Sequence, residues 1–420
     1  MTSYSPPANA EQPADPTLRR WFPLRRIIRQ ATIVFPESVV SNLDMLLDNG
    51  HICAIDQNLP DESNAETVCF HNDLVIPGLI DTHVHGAGGQ DVMDGTPASL
   101  AELGRSLLCA GTTAYLATTI TSPVDSLFSA LGTVAAKQAE PFTDGEAEIL
   151  GVHLEGPLLS PSWHGAHNSD WFLPSVPGSD VALAEAVEKT YPGLLKIITY
   201  SPARPDTLPL AAFCRRHGII LSAGHTDADY DTMRQAAAAG IRRVTHAFNA
   251  MPGIHHRRPG LLGEALLNPA VDIELIADGF HIHPAVLEMA LRLKGPAAVT
   301  LVSDGTRAVG MPDGQYELGG QITSVESGVA RLPNGTIAGS ACSLLQGIRT
   351  VAQRLGRPLH EAVRYASLNP AVTLGLADRL GSIACGKEAT FVRLDSHLAV
   401  RQVWQRGSPV GVAPPLLSDH

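Results

Sequence analysis

Apolar residues along this chain fall into two rhythms. From 27 to 76 they come in short runs, Ile27-Ile28, Ala31 to Val34, Leu43 to Leu47, Ile52 to Ile55 and Leu74 to Ile76. These runs predict strands, and Asn49-Gly50 predicts an antiparallel hairpin between two of them. No helix fits the stretch. From Pro77 onward, apolar strands at 79–83, 113–117, 148–154, 194–200, 218–223, 241–246, 271–277 and 298–303 alternate with helical stretches such as 97–110, 124–139, 207–216, 227–239, 284–293 and 341–354. Strands that read as nearly unbroken apolar runs are buried on both faces, which predicts a parallel sheet covered by helices. Eight βα units closing on themselves give an α/β fold, a (β/α)8 TIM-like barrel; an open doubly wound sheet is the competing arrangement. After residue 375 helices stop and short strands return around Ile383, 390–394, 399–400 and 403–404. Neither end segment is long enough to bury a core alone. The expected organisation is a disordered tail over 1–25, a small β-sandwich built from 26–76 and 375–412, and a barrel over 77–374 inserted between them.

Composition narrows the function. Forty-two acidic against 30 basic residues give a net charge of −12, which argues against nucleic acid as the main ligand. Arg19, Arg20, Arg25, Arg26 and Arg29 form a local basic cluster, expected as a solvated segment before the first strand. The six cysteines form no close pairs, so neither a disulfide framework nor a cysteine-rich zinc site is expected, and a reducing cytoplasm is the simplest compartment. No secretory signal or membrane span is expected.

Barrel chemistry sits where the strands end, and these ends are polar in a consistent way. His83 and His85 stand two apart after an apolar run, so they face the same side of a strand. Glu155, His225, His246, His281 and Asp304 each follow another apolar run. Imidazoles and carboxylates are ligands for zinc, iron or manganese. One such residue is usually a hydrogen-bonded rim residue; five at five strand ends predict a metal centre. A carboxylate such as Asp304 beside a metal-activated water can accept a proton and return it to a leaving group, although it could instead cap the following turn. His255, His256, Arg257 and Arg258, with His281, suggest a positive site suited to phosphate or carboxylate, the alternative being a solvated basic loop.

The chain resembles the amidohydrolase superfamily. The wide marks are Pro77-Gly78-Leu79-Ile80-Asp81-Thr82-His83-Val84-His85-Gly86 and Gly381-Ser382-Ile383 with Gly386-Lys387. Narrower marks resemble the N-acetylglucosamine-6-phosphate deacetylases: His153 to Pro157, Gly165-Ala166-His167, Ser222 to Thr226, Thr245 to Met251 and Ala338-Gly339-Ser340. The resemblance spans about residues 30 to 410 and implies roles. Glu155, His225 and His246 match the principal metal ligands. His83 and His85 match the pair that holds a second ion in some members, with Glu155 bridging. Asp304 matches the catalytic aspartate, and His167 the histidine that polarises the acetyl carbonyl. Ala166, Asn249, the Ala250 backbone, Arg257 and His281 match substrate contacts, with Arg257 reaching a neighbouring subunit in the homodimers usual for the family.

The implied cofactor is one or two divalent ions per subunit, zinc first, with iron, manganese or cobalt as alternatives. The implied reaction is hydrolysis of the acetamide of a phosphorylated N-acetyl amino sugar.

Three departures stand out. Pro161-Ser162-Trp163-His164 replaces a lysine-rich approach, with Trp163 as lid, sugar contact or loop anchor. Ser303-Asp304-Gly305 replaces Thr-Asp-Ala, and Thr390 stands where aspartate is usual. Galactosamine-epimer deacetylation, a dihydroorotase-like cyclic amidase and a non-catalytic metal-binding scaffold are the other readings. The cyclic amidase is disfavoured because Glu155, not a carboxylated lysine, takes the bridging place.

Overall fold

The computed structural model describes residues 25–411; the expected tail over 1–25 lies almost entirely outside them. Eight parallel strands form the central sheet in chain order: Leu79–Val84, Thr112–Thr119, Glu148–Glu155, Leu195–Tyr200, Ile220–Ala223, Arg243–Val244, Asp272–Ile276 and Val299–Val302. A bridge between Val84 and Gly305 brings the last strand back to the first. The sheet is a nearly closed barrel, not an open doubly wound one. Every residue of Thr112–Thr119 is buried, as burial on both faces requires.

Helices Pro97–Cys109, Val124–Gln138, Ser179–Thr190, Thr207–His217, Tyr230–Ala239, Gly260–Leu267 and Pro284–Lys294 cover the sheet. Local chemistry sets their ends. Thr96 accepts from Ser99 N at 3.1 Å with Pro97 at the first helical position, and Asp229 accepts from Thr232 N at 2.8 Å. Both satisfy a first-turn N–H that the helix itself cannot. The helix expected over 341–354 runs as an α-helix only over Leu344–Arg349 and widens to a π-turn over Thr350–Arg354.

The two chain ends share one sheet. Its order is Ser408–Val410, Val400–Gln405, Phe391–Leu394, Leu74–Pro77, Arg26–Val34, Val39–Asp48 and His51–Asp56, with Glu66–Cys69 beside the first half of Arg26–Val34. The hairpin turns at Asn49 and Gly50, both at positive φ. The far edge meets the C-terminal segment through Ile52, which donates to Lys387 O at 2.9 Å and accepts from Gly386 N at 2.8 Å. Phe70, Phe391 and Trp404 fill the interior, the last two stacked at 5.3 Å. Thr390 Oγ1 accepts from Arg406 N at 3.1 Å, so the threonine serves a local backbone bond.

Two expectations are corrected here. Arg26 and Arg29 lie inside the first strand rather than in a solvated segment before it. Arg26 pairs with Glu66 at 2.9 Å, Arg25 with Glu62 and Arg29 with Asp44 and Asp61. The barrel segment also carries an antiparallel meander that its helical rhythm did not predict: Gly314–Leu318, Gln321–Glu326, Val329–Arg331 and Ile337–Ser340. Its last strand returns to the rim, where Ser340 N donates to Asp304 O at 2.8 Å.

Candidate metal centre and active site

Glu155 ends its strand in the middle of the barrel mouth, 2% exposed. Its two oxygens face two sets of imidazoles. Oε1 lies 3.1 Å from His246 Nε2 and 3.3 Å from His225 Nε2. Oε2 lies 3.2 Å from His85 Nε2, 3.4 Å from His83 Nε2 and 3.3 Å from His167 Nε2. Asp304 Oδ1 stands 3.3 Å from both His83 and His85 Nε2. The expected ligands from four strand ends therefore meet, with the expected acid from a fifth and His167 beside them.

These separations suit a cation. Donor atoms around a tetrahedral ion with bonds of about 2.0–2.1 Å stand roughly 3.3 Å apart. His83, His85 and Glu155 form one group able to hold an ion, and Glu155, His225 and His246 another. His225 Nε2 and His246 Nε2 face each other at 3.0 Å. The buried His83 Nε2 has no hydrogen-bond partner, as a lone pair reserved for an ion would not.

Ring orientation is fixed in part by backbone. His225 Nδ1 donates to Trp163 O at 2.9 Å, because a carbonyl can only accept; its Nε2 lone pair is thereby turned to Glu155. Trp163 is thus a loop anchor through its main chain. The loop comes so close that a Cβ on Gly165 would stand 3.1 Å from His225 Cε1. His167 shows the opposite tautomer. Its Nδ1 accepts from Thr121 N at 3.2 Å and lies 2.7 Å from Thr121 Oγ1, which leaves the hydrogen on Nε2, aimed at the centre. Arg204 holds the same loop from outside, donating to Leu173 O at 3.1 Å and Pro174 O at 3.2 Å. His225, His246 and Asp304 all adopt positive φ, strain of the kind that clusters at functional sites.

The electrostatics call for positive charge. Burial opposes ionisation of Glu155, but the His83 charge and the close imidazoles of His167, His225 and His246 outweigh it and hold the carboxyl well below its usual range. Asp304 is lowered in the same way, burial being overcome by His83 and His85. Burial also works against charge on His85, yet Asp304 and Glu155 lift it to about 9. His167 is pushed down to about 4, chiefly by burial, so it is a neutral donor.

The remaining expected residues are more spread. His281 is tied to Asp278 by a 2.6 Å contact, and Ser340 Oγ lies 3.4 Å from the same carboxylate. Asn249 Nδ2 donates to His246 O at 3.1 Å, and Ala250 O accepts from Thr226 N. Ala166 O accepts from Gln321 Nε2 of the meander at 2.6 Å. Arg257 is not brought to this cluster: it is exposed and its guanidinium lies 2.8 Å from the neighbouring His256 ring. A cavity of about 400 Å³ lies elsewhere, between Tyr115, Phe142, Lys196 and Arg379, and none of the site residues lines it. Sequence reasoning missed Thr121, Arg204 and the buried pair Glu274 and Arg243. Glu274 accepts from His83 Nδ1 at 3.2 Å and is held down at about 2, burial being outweighed by His83, His153 and Arg243. The available signal was the charged residues Arg242, Arg243, Asp272 and Glu274 inside the runs expected as strands.

A barrel whose strand ends converge four imidazoles and a shared carboxylate, with an aspartate at their edge, defines a metal-dependent hydrolase. The Amidohydrolase family profile matches residues 74–415, and the chain belongs to that family. It is 39% identical over 363 residues to an N-acetylglucosamine-6-phosphate deacetylase of Vibrio furnissii, covering 86% of this chain and 88% of that one. It is 33% identical over 387 residues to an N-acetylgalactosamine-6-phosphate deacetylase of Escherichia coli, covering 91% and 99%. The solved N-acetyl-D-glucosamine-6-phosphate deacetylase of Mycobacterium smegmatis superposes with a TM-score of 0.83 at 31% identity, covering 92% of this chain and all of that one.

Proposed function

We propose that the protein hydrolyses the acetamide of N-acetyl-D-glucosamine 6-phosphate to glucosamine 6-phosphate and acetate. The observation that carries this reading is the split coordination of Glu155, with His225 and His246 on one oxygen and His83, His85 and His167 on the other. His225 and His246 with Glu155 would hold one divalent ion, and His83 and His85 with the same carboxylate a second; zinc suits this set of nitrogen and oxygen donors. Such ions supply Lewis acidity and lower the pKa of water.

The chain's own groups do the rest. Asp304 accepts a proton from the attacking water and returns it to the sugar nitrogen, without which the amine would be a very poor leaving group. His167 Nε2–H donates to the oxygen of the acetyl carbonyl as charge grows there. Asn249, Ala166, the Ala250 backbone and His281 bind the sugar phosphate, and Arg257, exposed on its own subunit, completes the phosphate contact across a homodimer. Remote binding of the phosphate orients the amide. The compartment proposed is the cytoplasm, in keeping with six cysteines of which, among the described residues, none is joined in a disulfide; among the same residues no helix is long and apolar enough to cross a membrane.

The relative that acts on the galactosamine epimer supports a second substrate reading. The test is acetate release from both epimers, with and without the 6-phosphate, on protein of measured metal content. Preference for the phosphorylated gluco sugar is expected; preference for the galacto sugar transfers the assignment to the epimer. No release from any of the four overturns the deacetylase reading. Asp304→Asn is expected to keep its metal while turnover falls about 10³-fold or more; near-normal turnover removes Asp304 from its role.

A further inference from the structure

One buried carboxylate is not used by this chemistry. Glu274 is fully buried in the strand Asp272–Ile276 beneath the rim. It touches one residue of each ligand pair. Its Oε2 lies 3.2 Å from His83 Nδ1 and 3.4 Å from His246 N. Its Oε1 lies 3.2 Å from Arg243 Nη1. Arg243 is itself buried and anchored through Nη2 to Thr300 Oγ1 at 3.2 Å and Thr373 Oγ1 at 2.8 Å. The carboxylate is thus held from below by a single N–H of an anchored guanidinium and presents its other oxygen upward.

An ionised carboxylate can only accept a hydrogen bond. His83 must therefore carry a hydrogen on Nδ1, which turns its Nε2, the atom that would bind an ion, toward Glu155 and Asp304. The same contact sets the plane of the ring. Its pair-mate has no such support, since His85 Nδ1 is buried without a partner. His153 packs on His83 at 4.5 Å between ring centres, but both its nitrogens are engaged, by Thr82 O at 2.9 Å and Thr199 Oγ1 at 2.7 Å. His83, His153 and Glu274 therefore support the ring and do not form a third ion site.

We propose that Glu274, braced by Arg243, is the positioning residue that turns His83 into a metal ligand and so determines whether the His83–His85–Glu155 pocket takes up its ion. The inference rests on the two-ion reading above. Outer partners of ligating histidines affect metal affinity about 10–100-fold, and this partner serves one pocket through a side chain and the other only through a backbone N–H.

The test is competition with a chromophoric chelator for zinc on the full-length protein, stripped and retitrated. The unaltered protein is expected to bind two ions. In Glu274→Gln the amide carbonyl turns to Arg243 and its NH2 to His83, which displaces the Nδ1 hydrogen. One ion is then expected to weaken about 10–100-fold, while the other changes by less than about threefold. Two unchanged ions overturn the role of Glu274, and so does an equal weakening of both, which marks a merely structural effect. A single ion in the unaltered protein overturns the two-ion reading instead. Should Glu274→Gln fail to fold, the double variant Glu274→Met, Arg243→Met leaves no buried charge and is expected to show the same selective loss. Histidine ¹⁵N NMR of the unaltered, metal-free chain gives an independent readout: hydrogen on His83 Nδ1 is expected, and an Nδ1 without hydrogen overturns the proposal.

Discussion

Two buried carboxylates, one at a helix start and one at a strand end, show what separates a site from a brace. Asp180, at the start of the helix Ser179–Thr190, is wholly buried and answered by one cation, Arg204, whose Nε donates to it at 3.0 Å. Its charge is matched by a guanidinium that never loses its proton, and the pair is satisfied within the protein. Glu155 has no such partner. Imidazoles surround it, several with nitrogens that face an oxygen or one another at 3.0–3.4 Å without hydrogens to share among them all. A balanced carboxylate holds the fold together; an unbalanced one among lone pairs waits for a cation. The brace also serves the site, because Arg204 ties down the loop that carries His167 and Trp163.

The contrast can be broken most forcefully at Glu155. Glu155→Ala is expected to abolish binding of both ions and bring activity to background while the fold survives, measured by metal analysis and circular dichroism. Retention of either ion breaks the bridging assignment. Arg204→Ala is expected to do the reverse. It leaves Asp180 buried and unpaired, a cost of about 3–5 kcal/mol, read by urea unfolding, with both ions still bound in the folded fraction. Unchanged stability means Asp180 is not balanced by Arg204. Thr121→Val sharpens the comparison most gently. The His167 tautomer keeps its backbone donor, so a loss of only about three- to tenfold in kcat is expected, roughly 1 kcal/mol, with unaltered metal content. A loss as large as that of Asp304→Asn makes the hydroxyl, not the backbone N–H, the controlling contact.

How much of this was legible in the sequence depended on whether a residue breaks its local pattern. His83, His85, Glu155, His225, His246 and Asp304 follow apolar strands directly, so strand geometry alone places them at one rim. The eight strands were legible for the same reason, although pairing at Arg243–Val244 covers far less than the apolar run 241–246 suggests. The meander over 314–340 was not legible. Its strands are three to six residues long, and Gln321–Glu326 exposes every second residue, or nearly so. That gives a weak period against the helical background. Glu274 and Arg243 lie on neighbouring strands and neutralise each other inside the barrel, a pairing that only the register between strands reveals. Arg257 was legible as a cation, but its distance from the cluster depends on the fold of its loop and on a second subunit.

The arrangement of the chain ends bears on synthesis. The strand Leu74–Pro77 finds its neighbour in Phe391–Leu394, roughly 300 residues later. At about 5–20 residues per second, a ribosome needs roughly 15–60 s to deliver that neighbour. Throughout this interval the nascent chain carries an open strand edge, a ready template for intermolecular pairing. Production of this protein should therefore be more sensitive to elongation rate and chaperone supply than a barrel with its own closed ends.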